Sequence, residues 1–118
     1  MANEGFHEDK RDLSKETRNT HRALVSLQEE LEAVDWYRQR ADACDDSQLR
    51  AILLHNMREE MEHASMLIEW LRRNNQHFNE HLRTYLFTSD PVTELEKEST
   101  DENANAGSEG RASGTLKE

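Results

Sequence analysis

The chain has 118 residues with 25 acids against 15 bases, a formal net charge of -10, and only 34% hydrophobic residues at a mean hydropathy of -1.06. That balance excludes a nucleic-acid or anionic-membrane binder, and no apolar run is long enough to cross a bilayer. A core this thin leaves little margin over conformational entropy, so burial shared with a partner chain is the expectation.

The single cysteine, Cys44, cannot form an internal disulfide. The start, MANEGFHEDK, has neither the basic end nor the apolar run of a signal peptide, which reads as cytoplasmic. Residues 1–12 are read as an N-terminal extension. From Leu13 a seam runs through Thr17, Thr20, Leu24, Leu27, Leu31 and Val34 in alternating steps of four and three, the period of a helix. With no Gly or Pro between residues 6 and 90, this first helix continues to about Ala41. CDDSQL then supplies a turn with Asp46 or Ser47 as N-cap of a second helix. Its seam runs through Leu49, Leu53, Asn56 or Met57, Glu60, His63 or Ala64, Leu67 and Trp70 or Leu71, and RRNN closes it.

A third, shorter helix is expected from about Gln76 to Phe87, with Phe78, Leu82 and Tyr85 on one side. Pro91 then starts one more short turn through Lys97. From Ser99 the composition is that of a disordered tail, residues 99–118. Residues 13–98 are therefore the folded part: an all-α antiparallel two-helix hairpin plus a short C-terminal helix, half of a four-helix bundle.

Glu60 and His63 form a Glu-x-x-His step that puts a carboxylate and an imidazole on one helix face. Both fall where the seam asks for apolar residues, and burying a carboxylate there costs several kcal/mol unless a cation or hydrogen bonds compensate. Glu30 is the matching anomaly on the first helix, with Tyr37 two turns further along. One Glu plus one Glu-x-x-His is half of a di-metal carboxylate set, and a two-fold dimer of hairpins supplies the other half from identical residues. Such ligands suit iron, manganese or zinc, and the lack of thiolates excludes a cysteine-based zinc site or an iron–sulfur cluster. Glu29, Glu32 and Trp36 mark a second acidic face that reads either as a holding site for cations or as a solvated surface. On spacing alone the surface reading leads, and Trp36 and Tyr37 read as ordinary core or interface aromatics. His21, His55, His77 and His81 receive no role from their spacing.

HRALVSLQEELEAVDWY at 21–37, LLHNMREEMEHASMLIEWLRRN at 53–74 and HLRTYLFT at 81–88 together resemble the encapsulated ferritins, cargo proteins of encapsulin nanocompartments. The resemblance covers roughly residues 13–98. It implies a dimer that builds a ferritin-like four-helix bundle, arranged as a ring of five dimers, a homodecamer. It further implies ferroxidase activity at a di-iron centre (Fe2+/Fe3+) with Glu30, Glu60 and His63 as ligands, Glu60 bridging and Tyr37 nearby. Glu29, Glu32 and Trp36 then correspond to a secondary metal-entry site. Iron passes to an encapsulin shell, addressed by a C-terminal peptide of the type Leu-Gly-Ile-Gly-Ser-Leu-Lys. Here Gly114, Thr115, Leu116 and Lys117 match its second half, whereas Ala112 and Ser113 replace the apolar first half. Two rival readings are another di-iron activity, such as peroxide reduction, and a non-enzymatic helical adapter.

Overall fold

The computed structural model describes residues 5–106, which are helical throughout their regular structure. A 3-10 turn, Lys10–Asp12, comes first, its start capped by the Asp9 carboxylate accepting from the Arg11 amide. Helix α1 spans Lys15–Ala43, and its start is fixed by Ser14, whose Oγ accepts from the Thr17 amide at 3.0 Å. This satisfies one of the amides a helix start leaves without an intrahelical partner. Helix α2 spans Ser47–Asn74, and of the two expected caps the one used is Asp46, which accepts from the Leu49 amide at 2.9 Å.

Helix α3 spans Gln76–Tyr85, two residues shorter at its end than the spacing suggests, with Asn75 capping the Phe78 amide at 2.8 Å. Helix α4 spans Val92–Ala106 and packs against α3. This differs from the expected short turn to Lys97 followed by a disordered tail from Ser99. Pro91 at the start, Glu94 in the first turn and the lack of any breaker before Gly107 let the helix run on. Residues 112–117, the peptide compared with a shell-targeting signal, lie outside the described residues.

The described chain divides into two compact units at Leu71 and Arg72. In the first, α1 and α2 are joined by only Cys44, Asp45 and Asp46, which forces them to run antiparallel. Its buried apolar side chains are Ala23 and Ala41 from α1 and Met57, Ala64 and Leu71 from α2. The α2 members recur every seven residues, one face of a helix. Small residues allow close helix approach, and the larger seam residues Leu24 and Leu31 stay 37% and 52% exposed. A single chain thus leaves much of its seam uncovered.

In the second unit the fully buried residue is Asn79, while Phe78, placed with Leu82 and Tyr85 on one side of this helix, is 39% exposed. The Arg72 guanidinium donates to Asn79 Oδ1 at 2.6 Å, so the amide is buried with a charge-assisted partner. At the end of α3, Leu86 is extended and Phe87 has φ 61, the pattern of a type II turn closed by Thr88 Oγ1 donating to the Tyr85 carbonyl at 2.7 Å. The left-handed backbone favours glycine, and a side chain with a Cβ costs about 1–2 kcal/mol there.

Candidate metal centre

Glu30 lies thirteen positions before the last residue of α1, Ala43, and Glu60 thirteen positions after the first residue of α2, Ser47. In an antiparallel hairpin with a short link this register brings the two carboxylates level, about 20 Å from the turn. His63 follows Glu60 by one turn on the same face. The tertiary structure joins the three: ligand atoms of Glu30, Glu60 and His63 all lie within 4.8 Å of one another.

His63 Nδ1 is 3.2 Å from Glu60 Oε1 and 3.4 Å from Glu30 Oε1. Both glutamates are largely covered, with side chains 25% and 24% exposed, while the imidazole is 42% exposed. The carboxyl of Glu30 is held above its usual range because it shares a hydrogen bond with Glu60, and burial and the Glu60 charge add to the effect. Burial opposes the charged form of His63, yet the carboxylates of Glu60 and Glu30 outweigh it and hold the imidazole above its usual value. Protons thus do here what a cation does better. Glu30 Oε1 is buried and accepts no hydrogen bond, although it faces the imidazole. An oxygen donor buried without a hydrogen bond, beside a second carboxylate and an imidazole, fits a divalent transition-metal ion. One chain offers three such residues and leaves coordination positions open.

The other residues singled out in the sequence lie outside this cluster. Tyr37 is half-buried two turns along α1 from Glu30, Glu29 and Trp36 are exposed, and Glu32 is half-buried. The Arg40 guanidinium sits 5.4 Å from the Tyr37 ring centroid and 6.0 Å from that of Trp36. Sequence reasoning passed over Arg40, although its spacing of three and four from the two aromatics was the available signal. His21, which had no role from spacing, lies against Phe6 with ring centroids 4.1 Å apart.

Residues 5–89 match the family model described as EncFtn-like. The chain belongs to the EncFtn-like family. Among curated relatives of this EncFtn-like chain, the "Encapsulated ferritin-like protein" of Rhodospirillum rubrum is 57% identical over 100 residues, 85% of this chain and 71% of that one. The "Ferritin-like protein" of Thermotoga maritima is 52% identical over 102 residues, 86% of this chain and 90% of that one. A crystal structure of a Nitrosomonas europaea protein aligns with a TM-score of 0.72 at 56% identity, covering 75% of this chain and 97% of that chain. The all-α hairpin is thus a ferritin-like helical fold, and the EncFtn-like match extends over α1, α2 and α3.

Proposed function

We propose that this EncFtn-like chain is a ferroxidase that oxidises Fe(II) to Fe(III) with dioxygen as acceptor, at a di-iron site formed between two copies. The observation that carries this reading is the convergence of Glu30, Glu60 and His63 within 4.8 Å, with a buried carboxylate oxygen left without a hydrogen bond. Iron is the substrate: each ferrous ion held there gives up one electron to the acceptor.

The chain's own residues supply the surroundings for that step. Glu30 and Glu60 provide anionic oxygens, which favour the ferric over the ferrous state, and His63 adds one neutral nitrogen donor. In a two-fold dimer the set becomes four carboxylates and two imidazoles, with each Glu60 bridging, and the exposed Leu24 and Leu31 give the hairpin apolar surface to bury. Glu29, Glu32 and Trp36 hold incoming cations on the neighbouring face, and Tyr37 lies two turns along α1 from the centre. Dimers assemble further into a decameric ring.

The oxidised iron passes into an encapsulin shell in the cytoplasm, the association suggested by the name of the Rhodospirillum relative. Residues 112–117 form the address, with Leu116 as its main apolar anchor. Oxygen uptake by purified protein tests the activity. Uptake with ferrous iron alone is the expected result. A requirement for peroxide and a reductant would identify a peroxide-reducing di-iron protein instead, and no uptake under either condition would leave a helical adapter.

A further inference from the structure

Helix α3 carries two histidines four residues apart, His77 and His81, and both are exposed. At about 100° per residue they lie about 40° apart around the helix axis, with Cβ atoms about 5–6 Å from each other. Asn79, the fully buried residue of this unit, is about 160° from each, so the pair stands on the solvent side of the helix. The helix beneath it is well fixed. Asn75 caps its start, and the Arg72–Asn79 hydrogen bond ties down its inner face.

Nothing in the fold accounts for this pair. Neither histidine belongs to the core, and among the described residues neither ring has a hydrogen bond or an ion pair. His63, by contrast, lies against Glu60 and Glu30, and His21 stacks on Phe6. His77 is the second residue of α3, where the helix dipole favours an acid over a base, so it adds nothing to the helix start. The nearby acid, Glu80, accepts from Gln76 Nε2 at 3.3 Å, which draws its carboxylate to the flank away from His81. Spacing alone gives the two histidines no role; the fixed helix does, because two unpaired imidazoles one turn apart on one face can close on a single ion.

We propose that His77 and His81 form a second metal site, a two-imidazole clamp on α3 that takes a late divalent transition ion: copper(II), nickel(II) or zinc. Among the described residues only Glu30, Glu60 and His63 gather three ligating groups, so water completes the coordination at the clamp and the ion stays exchangeable. The donor set decides the preference. Two neutral nitrogens without a carboxylate bind copper most tightly and ferrous iron more weakly, and they give calcium or magnesium no anionic oxygen to hold. The Glu30 cluster has the opposite character, with two carboxylates to one imidazole. The two sites therefore rank metals differently, and the clamp depends neither on iron oxidation nor on the pairing of copies.

Titration of the chelator-stripped full chain with copper(II) and nickel(II), followed by calorimetry and by copper electron paramagnetic resonance, tests the clamp. Glu30→Ala serves as the parent so that the carboxylate cluster is broken, and His77→Gln, His81→Gln and His55→Gln are compared in it. Loss of even an outer partner of a metal ligand costs about 10- to 100-fold, so His77→Gln and His81→Gln should each weaken the tightest copper site at least about tenfold. Each should also reduce the nitrogen couplings from two imidazoles to one, and His55→Gln should change neither readout. Nickel should raise the thermal midpoint of the parent and not of the His77 and His81 variants. The metal-free midpoints should stay together, because all three side chains are exposed, so a lost site cannot come from misfolding. Unchanged copper affinity in both variants overturns the proposal. So does a loss in only one of them, since a single imidazole and some other group would then hold the ion, and so does an equal loss in His55→Gln. Displacement of copper by an equal concentration of calcium would overturn the assigned class of metal.

Discussion

Glu30 Oε1 faces His63 Nδ1 across the hairpin at 3.4 Å, and no hydrogen bond reaches that oxygen. The contact joins α1 to α2, so the two helices are held by a polar cluster at a level where a bundle ordinarily packs apolar side chains. Such a cluster is stable when a cation or protons neutralise it, and the consequences of that condition are measurable.

Glu30→Ala, Glu60→Ala and His63→Ala should each lower ferrous oxidation to less than about a tenth of wild type. Loss of even an outer partner of a metal ligand costs about 10- to 100-fold, and each substitution strikes a symmetric site twice. Stopped-flow oxidation assays check this, and near-wild-type rates in all three would remove the site assignment. Glu32→Ala should alter the rate while keeping metal at the Glu30 cluster. Loss of that bound metal in Glu32→Ala would contradict the separation of the two faces.

The pH dependence has a definite sign. Glu30 and His63 are both raised above their ordinary values of 4.5 and 6.5, so the folded chain holds each proton longer than the unfolded chain does. The stabilisation is fully present below each ordinary value and is lost as pH rises through the folded one. Chelator-treated protein should therefore lose thermal stability from the cluster as pH rises above the ordinary values of 4.5 for Glu30 and 6.5 for His63, and Glu30→Ala should flatten that slope. Divalent-ion affinity should rise over the same span, because the metal displaces the protons. Calorimetric titration with zinc at stepped pH gives the second measurement, and an affinity that falls with pH would overturn the account.

Metal and assembly should be linked. A divalent ion that binds the paired hairpins and not the single one shifts association by RT ln(1 + [L]/Kd), about 2.7 kcal/mol at about a hundred times Kd. Chelator-stripped protein should sediment more slowly on average than zinc-loaded protein, and Glu30→Ala should be insensitive to zinc. Identical distributions for all three samples would place the metal outside the interface.

Asn79→Ala should destabilise the second unit by about 1–3 kcal/mol, the cost of removing one partner from a buried hydrogen bond. Denaturant titration followed by circular dichroism measures it. A change below about 0.5 kcal/mol, the usual range for surface positions, would mean that the Arg72–Asn79 bond is not holding α3 in place.

Deletion of residues 108–118 should leave iron oxidation intact and abolish co-purification with an encapsulin shell. A few apolar anchors carry most of the energy of such a contact, so Leu116→Ala should reproduce most of the loss. Equal shell loading with and without the segment would show that the departure at Ala112 and Ser113 has ended its role as an address.

Periodicity alone located α1 and α2, because a long seam uninterrupted by Gly or Pro leaves a helix as the one arrangement that gathers its apolar residues on one side. It also marked Glu30, Glu60 and His63, since carboxylates at seam positions are anomalies wherever the helices end. What periodicity could not supply was which member of a seam is buried: Ala23 and Ala41 lie inside while Leu31 is half-exposed, a consequence of close approach between two particular helices. Asn79 was illegible for the same reason, because a buried amide is favourable only beside Arg72, and that proximity exists only after the chain turns from α2 into α3. Local spacing thus determined the helices and the candidate ligands of this EncFtn-like chain. The tertiary fold decided that Glu30 stands level with Glu60 and that Phe87 points into solvent, since both depend on how the links between helices aim them.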